Sequence, residues 1–230
     1  MPKKFHDFLN IFDRKAAEVL SLNRTYDHKI KNDSDKPLLK SQLYSMLQFK
    51  LQRMKEYLKK NLWKGFITSS NALYASLILF ASVDYQKLNA LIKKDQYSLP
   101  LINETLTQMT ECKFITKFNI IAAFNKLHIN SGSEDLTIFI TSMRLYKYHV
   151  LPFDLTNRSA SYQHYMNNIL LPFLNDFVQV YLNDIIIYSK IWKEHTQHVW
   201  TVLQKLHETD LQVNIKKVNS MCKRLSFWAC

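Results

Sequence analysis

The sequence predicts an α+β fold, an antiparallel sheet packed against helices. Three observations lead there. Leucines and a methionine recur at helical spacing in the first third of the chain. Short apolar runs rich in β-formers recur after it. The stretch VYLNDIIIY (180–188) sets a polar pair between two such runs, the pattern of a tight β-hairpin. With 230 residues, 47% hydrophobic and 13% aromatic, the chain has enough material for one domain or two closely packed subdomains around a buried core.

Residues 1–36 are polar and charged with scattered aromatics, and KNDSDKP (31–37) reads as a linker. Leu43, Leu47, Leu51, Met54, Leu58 and Leu62 share one face at spacings of three and four, which predicts a helix. Gly65 stands where a helix is usually stopped. SLILF (76–80) reads as a buried strand; the surrounding apolar run is too short to span a membrane. LPLINETLTQM (99–109) predicts a short helix with Pro100 near its start. KFITKFNII (113–121) reads as a strand and AAFNKLHI (122–129) as a turn or short helix. LTIFIT (136–141) and LYKYHVL (145–151) read as a pair of strands. Residues 160–171 predict a helix with Tyr162, Met166 and Ile169 on one face. VYLNDIIIY follows as the hairpin, with Asn183 and Asp184 at its turn. Trp192, Thr196, Val199, Leu203 and Leu206 mark another amphipathic helix, and LQVNIKKV (211–218) a last strand.

The formal net charge is +12. A basic surface commonly faces nucleic acid, but solubility or compositional drift gives the same number. Cys112, Cys222 and Cys230 are odd in number and include no CxxC, so they read as free thiols. The N-terminal MPKKFHDFLN has no apolar signal core, which points to an intracellular protein, cytoplasmic or nuclear. Glu194, His195 and His198 are too sparse for a zinc site and read as a solvated helix face. The chain has two glycines, Gly65 and Gly132, where roughly 16 are expected. A fold with hairpins needs positive φ at several turns, so other residues must take those conformations.

Five blocks carry a resemblance. VDYQKLN (83–89), YSLPLINETL (97–106), FITKFNIIAAFNKLHI (114–129), LPFDLTNRSASYQHYMNNIL (151–170) and YLNDIIIYS (181–189) resemble, in order, the blocks of the reverse transcriptase of Ty3/gypsy-type LTR retrotransposon polyproteins. EHTQHVWTVLQKLHETDLQVNIKK (194–217) continues the match. FHDFLNIFDRKAAEVL (5–20) resembles the segment joining protease to polymerase in those polyproteins. The resemblance implies a polymerase-like palm, an antiparallel sheet packed on helices, with a partial fingers subdomain and no thumb. Residues 1–36 would be the connecting leader, 37–111 the partial fingers and 112–230 the palm, ending where the family begins its primer-gripping hairpin.

The family's chemistry is nucleotidyl transfer by two divalent ions, with Mg²⁺ the expected cofactor and a primer–template duplex and dNTP the expected partners. Carboxylates offset the mutual repulsion of the ions, roughly 17 kcal/mol at about 4 Å and an effective dielectric of about 20. The family uses three Asp. Here their positions fall on Asn119, Asn183 and Asp184, so Asp184 is the one metal-binding carboxylate retained. Mg²⁺ depends on carboxylates and phosphates, so the resemblance implies a site whose activity is lost. SLILF runs through Ala81 and Ser82 almost directly into VDYQKLN, so the family's basic fingers hairpin is expected to be missing. Asp154 replaces the Gly that follows LPF near the nucleotide. Phe124, Phe153 and Gln163 match nucleotide- or template-side positions, although a core aromatic and a solvated glutamine would read the same at Phe124 and Gln163. Lys216 and Lys217 match a pyrophosphate-side position, or else are a charged strand end. Two other readings stand beside the inactive polymerase: a basic nucleic-acid-binding module, and a relic that does not fold stably.

Overall fold

In the computed structural model, residues 3–20, 27–31, 47–72, 75–79, 82–95, 97, 109–110, 112–215 and 218–222 are described. Two compact units partition the chain. One comprises residues 1–18, 97–123 and 162–230; the other, residues 19–96 and 124–161.

The second unit opens with α1 (Gln48–Trp63). Met54 and Leu58 are its buried residues, and Gly65 ends it at φ 71, the left-handed conformation that glycine adopts without strain. The expected helix start at Leu43 lies outside the described residues. Next come β1 (Ile67–Ser70), β2 (Ser76–Leu79), β3 (Ser82–Asp84) and α2 (Gln86–Asn89). Local pattern does not announce β1, because ITSS is short and mostly polar; pairing with a later strand defines it. β2 and β3 pair antiparallel, with Leu79 opposite Ser82.

Numbered along the chain, β4 (Phe114–Asn119) belongs to the first unit, and β5 (Phe139–Ile140) and β6 (Leu145–Tyr148) to the second. The second unit's sheet has the order β1-β6-β5-β2-β3, with one parallel pair, β2–β5, in an otherwise antiparallel set. Its core is aromatic. Phe139 packs on Tyr146 and Tyr148, Tyr57 and Tyr148 join hydroxyls at 2.6 Å, and the Tyr85 hydroxyl donates to the Thr137 carbonyl at 2.8 Å. Buried phenols find partners in this way because an unpaired polar group would be costly.

Helix α3 (Arg158–Leu170) precedes the hairpin of β7 (Val178–Tyr181) and β8 (Asp184–Ser189). Helix α4 (Trp192–Glu208) and β9 (Asn219–Cys222) complete the elements. The first unit's sheet is antiparallel throughout, in the order β7-β8-β4-β9. Val178, Val180, Ile185 and Ile187 are buried to within 1%, each worth about 1.5–3 kcal/mol of transfer free energy. Val199, Val202, Leu203 and Leu206 of α4 are buried at the i, i+3, i+4, i+7 spacing of one helix face.

Three expectations need correction. The hairpin turn is Leu182–Asn183, one residue earlier than Asn183–Asp184, because Tyr181 pairs with Asp184 and Leu182 takes φ 51. The last strand is not 211–218: Val213 makes a single bridge to Ile120, its N–H donates to the Ile11 carbonyl at 2.8 Å, and pairing with β4 resumes only at β9. The third concerns His195 and His198, described below. Residues 99–108 of the expected short helix, most of the linker, and Lys216 and Lys217 lie outside the described residues.

The glycine shortage leaves its expected trace. Ala122, Asp154, Asn157, Asn175, Leu182 and Asp210 all have positive φ. Asn and Asp tolerate that region by bonding locally; Ala and Leu are strained there. Cys112 is buried and forms no disulfide. Among the described residues no helix is long and apolar enough to cross a membrane.

Candidate functional site

Side chains alternate across a strand, so Lys117 and Asn119 share one face of β4 and Thr116 and Phe118 the other. Asn119 faces Asp184 across the β4–β8 ladder. The one-residue shift of the turn matters here: it makes Asp184 the first residue of a strand and aims it at Asn119. Gln163 of α3 fixes the turn. Its Oε1 accepts from the Leu182 N–H at 2.7 Å, and its Nε2 donates to the Val180 carbonyl at 2.9 Å and to Asn167 Oδ1 at 2.9 Å. Gln163 is fully buried, neither a solvated glutamine nor a surface contact.

The Asp184 carboxylate has two partners. Oδ1 accepts from Asn119 Nδ2 at 2.7 Å, and Oδ2 lies 2.8 Å from Lys117 Nζ. Asn183 lies in the turn, and its main-chain carbonyl accepts from the Ile120 N–H at 2.8 Å. Two of the three expected metal positions, Asn119 and Asp184, are thus in direct contact, with Asn183 adjacent. A pair of divalent ions needs several anionic oxygens. This cluster supplies one carboxylate, already shared between an amide and an ammonium. Among the described residues no group of three or more His, Cys, Asp or Glu is placed to hold a metal ion. The residues present do not fit a two-metal centre. Sequence reasoning missed Lys117, although period-two alternation in KFITKFN sets it on the face of Asn119.

Phe124 and Phe153 meet through a residue not foreseen in this role. The Arg158 guanidinium lies 3.8 Å from the Phe124 ring centroid and 4.0 Å from that of Phe153, a cation held between two aromatic faces. Burial lowers the Arg158 pKa to about 10, with Asp154 opposing the shift. The loop is pinned from α2 and beyond. Asn89 donates to the Asp154 carbonyl and accepts from the Thr156 N–H, both at 2.7 Å, and Asn157 donates to the Lys93 carbonyl at 2.8 Å.

The opposite face of β4 corrects the reading of α4. His195 is 2% exposed. Its Nε2 pairs with Thr116 Oγ1 at 2.8 Å and its Nδ1 with Ser189 Oγ at 2.9 Å, while Ser189 Oγ also pairs with His198 Nδ1 at 2.8 Å. His198 stacks on Phe177 at 3.8 Å between ring centroids and borders a cavity of about 300 Å³. Burial, then His198, lowers the His195 pKa to about 4. The His198 pKa is lowered too, chiefly by burial, against the pull of Asp176 and Glu194. His195 is a neutral core group, because the sheet covers it; His198 is half-buried at the rim of the cavity.

Residues 75–228 match the model of the reverse transcriptase (RNA-dependent DNA polymerase) family. The chain is 29% identical over 241 aligned positions to the retrovirus-related Pol polyprotein from transposon 297 of Drosophila melanogaster, covering 97% of this chain and 23% of that protein. It is 31% identical over 183 positions to the transposon Tf2-3 polyprotein of Schizosaccharomyces pombe, covering 76% of this chain and 14% of that protein. The chain therefore spans a quarter or less of the length of these relatives. Among solved structures, the foamy viral protease-reverse transcriptase in complex with RNA/DNA hybrid superposes with a TM-score of 0.81 at 15% identity, covering 98% of this chain and 31% of that one. The native prototype foamy virus protease-reverse transcriptase gives 0.75 at 20% identity, covering 94% and 30%. The chain belongs to the reverse transcriptase (RNA-dependent DNA polymerase) family, and these two relatives are transposon polyproteins.

Proposed function

We propose that this chain is a reverse-transcriptase region that no longer performs two-metal nucleotidyl transfer and retains the binding of a nucleic-acid duplex. The observation that carries the first half is the engagement of both Asp184 oxygens, one by Asn119 and one by Lys117. An ammonium at that distance opposes a divalent ion, and Asn at positions 119 and 183 offers neutral oxygens only. Mg²⁺ binding is accordingly weak or lost. In this reading residues 1–36 are a connecting leader, 37–111 a partial fingers and 112–230 the palm. Phe124, Phe153 and Gln163 stand at nucleotide-side positions, the two rings now holding Arg158 and Gln163 now serving the hairpin.

Two facts support the second half. The net charge is +12, and solved structures sharing the fold hold an RNA/DNA hybrid or double-stranded DNA. Phosphate contacts alone give such binding, with steep salt dependence and little sequence preference. Primer extension with Mg²⁺ or Mn²⁺ tests the first half: no product is expected from the chain or from Asp184→Ala. Product that Asp184→Ala abolishes overturns it. A thermal melt with a short primer–template duplex tests the second: the transition rises if the duplex binds the folded chain.

A further inference from the structure

Helix α1 carries surface chemistry of its own. Residues 48–64 hold six basic side chains and one acidic, Glu56, hence five of the chain's twelve net positive charges. Its apolar stripe is already used. Met54 and Leu58 are buried at 2% exposure each, and Tyr57 between them bonds Tyr148. At 3.6 residues per turn, Arg53, Lys59, Lys60 and Trp63 point the other way. Arg53, Lys55, Lys59 and Lys60 are all exposed and have no acidic partner among the described residues. Trp63 is 84% exposed, the most exposed large hydrophobic residue among those described. It follows Lys60 by three residues and Lys59 by four, so the three share a face of the helix.

An uncovered indole flanked by cations matches a polymer of flat apolar faces joined by anionic links. An unpaired nucleic-acid strand is such a polymer: its bases stack on aromatic rings and its phosphates pair with Lys and Arg. A duplex hides its base faces from Trp63. A bilayer asks a basic amphipathic helix to insert its apolar stripe, and in α1 the centre of that stripe, Met54 and Leu58, is occupied by the protein's own core. We propose that the outer face of α1, formed by Arg53, Lys59, Lys60 and Trp63, is a docking strip for single-stranded RNA or DNA, with one base stacked on Trp63. This goes beyond the reading of the Asp184 site and does not depend on it.

The test is fluorescence anisotropy of the full chain with a labelled oligouridylate of about 12 nucleotides, within the usual site size. Lys59→Gln with Lys60→Gln is expected to weaken binding about tenfold and to reduce the slope of log K against log salt by about 1.4. Trp63→Ala is expected to weaken it about tenfold with the slope unchanged, to leave blunt-duplex affinity unchanged, and to be rescued by Trp63→Tyr. All three side chains are exposed, so the circular dichroism melts of the variants should match that of the parent. Unchanged oligonucleotide affinity in the lysine variant overturns the proposal. So does an equal loss on blunt duplex in Trp63→Ala, or binding to phosphatidylserine vesicles with none to the oligonucleotide.

Discussion

On one face of the β4–β8 ribbon, Lys117, Asn119 and Asp184 make an ion pair and a hydrogen bond at the edge of solvent. On the other face, buried Thr116, Ser189 and His195 make a chain of hydrogen bonds that ends on half-buried His198. The two clusters alternate along the same strands, Thr116 beside Lys117. The Lys117 and Asp184 side chains are 44% and 28% exposed, so water screens their attraction and the pair adds little stability. Thr116, Ser189 and His195 are buried, and each lost partner among them leaves a buried polar group unsatisfied. The outer cluster decides what the site can bind; the inner one helps decide whether the sheet holds its helix.

The strongest way to break this contrast is His195→Ala. It removes a buried ring and strips partners from the Thr116 and Ser189 hydroxyls, and should cost about 3 kcal/mol in urea unfolding. A loss below about 1 kcal/mol would mean that the inner chain is no more structural than the outer pair.

The second effect is on pH. An unfolded histidine takes up its proton near pH 6.5, whereas folded His195 does so only at about 4. His28, buried with its Nδ1 2.6 Å from Ser161 Oγ, is also lowered to about 4, by burial against an opposing Asp95. Between pH 6.5 and 4 the unfolded chain therefore binds more protons, and stability falls as pH falls. Melts should lose roughly 1–3 kcal/mol across that window. His195→Gln should flatten part of the slope.

A third, smaller effect comes from the strained turn just beyond β4, where Ala122 has φ 49. Ala122→Gly should raise stability by about 0.5–1 kcal/mol despite the entropy that glycine adds to the unfolded chain. Smallest is the outer pair itself. Lys117→Ala and Asp184→Ala should each shift stability by less than about 1 kcal/mol, with a coupling near 0.5 kcal/mol in a double-mutant cycle.

Much of this was legible in the sequence, for identifiable reasons. The helix at 48–63, β4, the 3-10 turn at Ala123–Lys126 and the hairpin all announce themselves by periodicity. The position of Asp184 opposite Asn119 did not, because a one-residue choice of turn separates the two registers. The deciding contact, Gln163 to the Leu182 N–H, comes from a helix 19 residues away. His195 looks like any polar helix residue until β4 and β8 are laid against it, whereas Glu194 is exposed as a solvated face predicts. Arg158 between Phe124 and Phe153 joins residues distant in sequence, which local pattern cannot foresee. Lys117 was within reach, since alternation along β4 sets it two residues from Asn119 on the same face.

The most direct measurement is a Mn²⁺ titration followed by electron paramagnetic resonance, on the full chain, on Asp184→Ala and on the Asn119→Asp, Asn183→Asp double variant. The account predicts no Asp184-dependent binding by the unmodified chain at up to about 1 mM, and a new Asp184-dependent site in the double variant. Saturable binding by the unmodified chain that Asp184→Ala removes would contradict it, since Asp184 would then prefer a metal ion to Lys117 and Asn119.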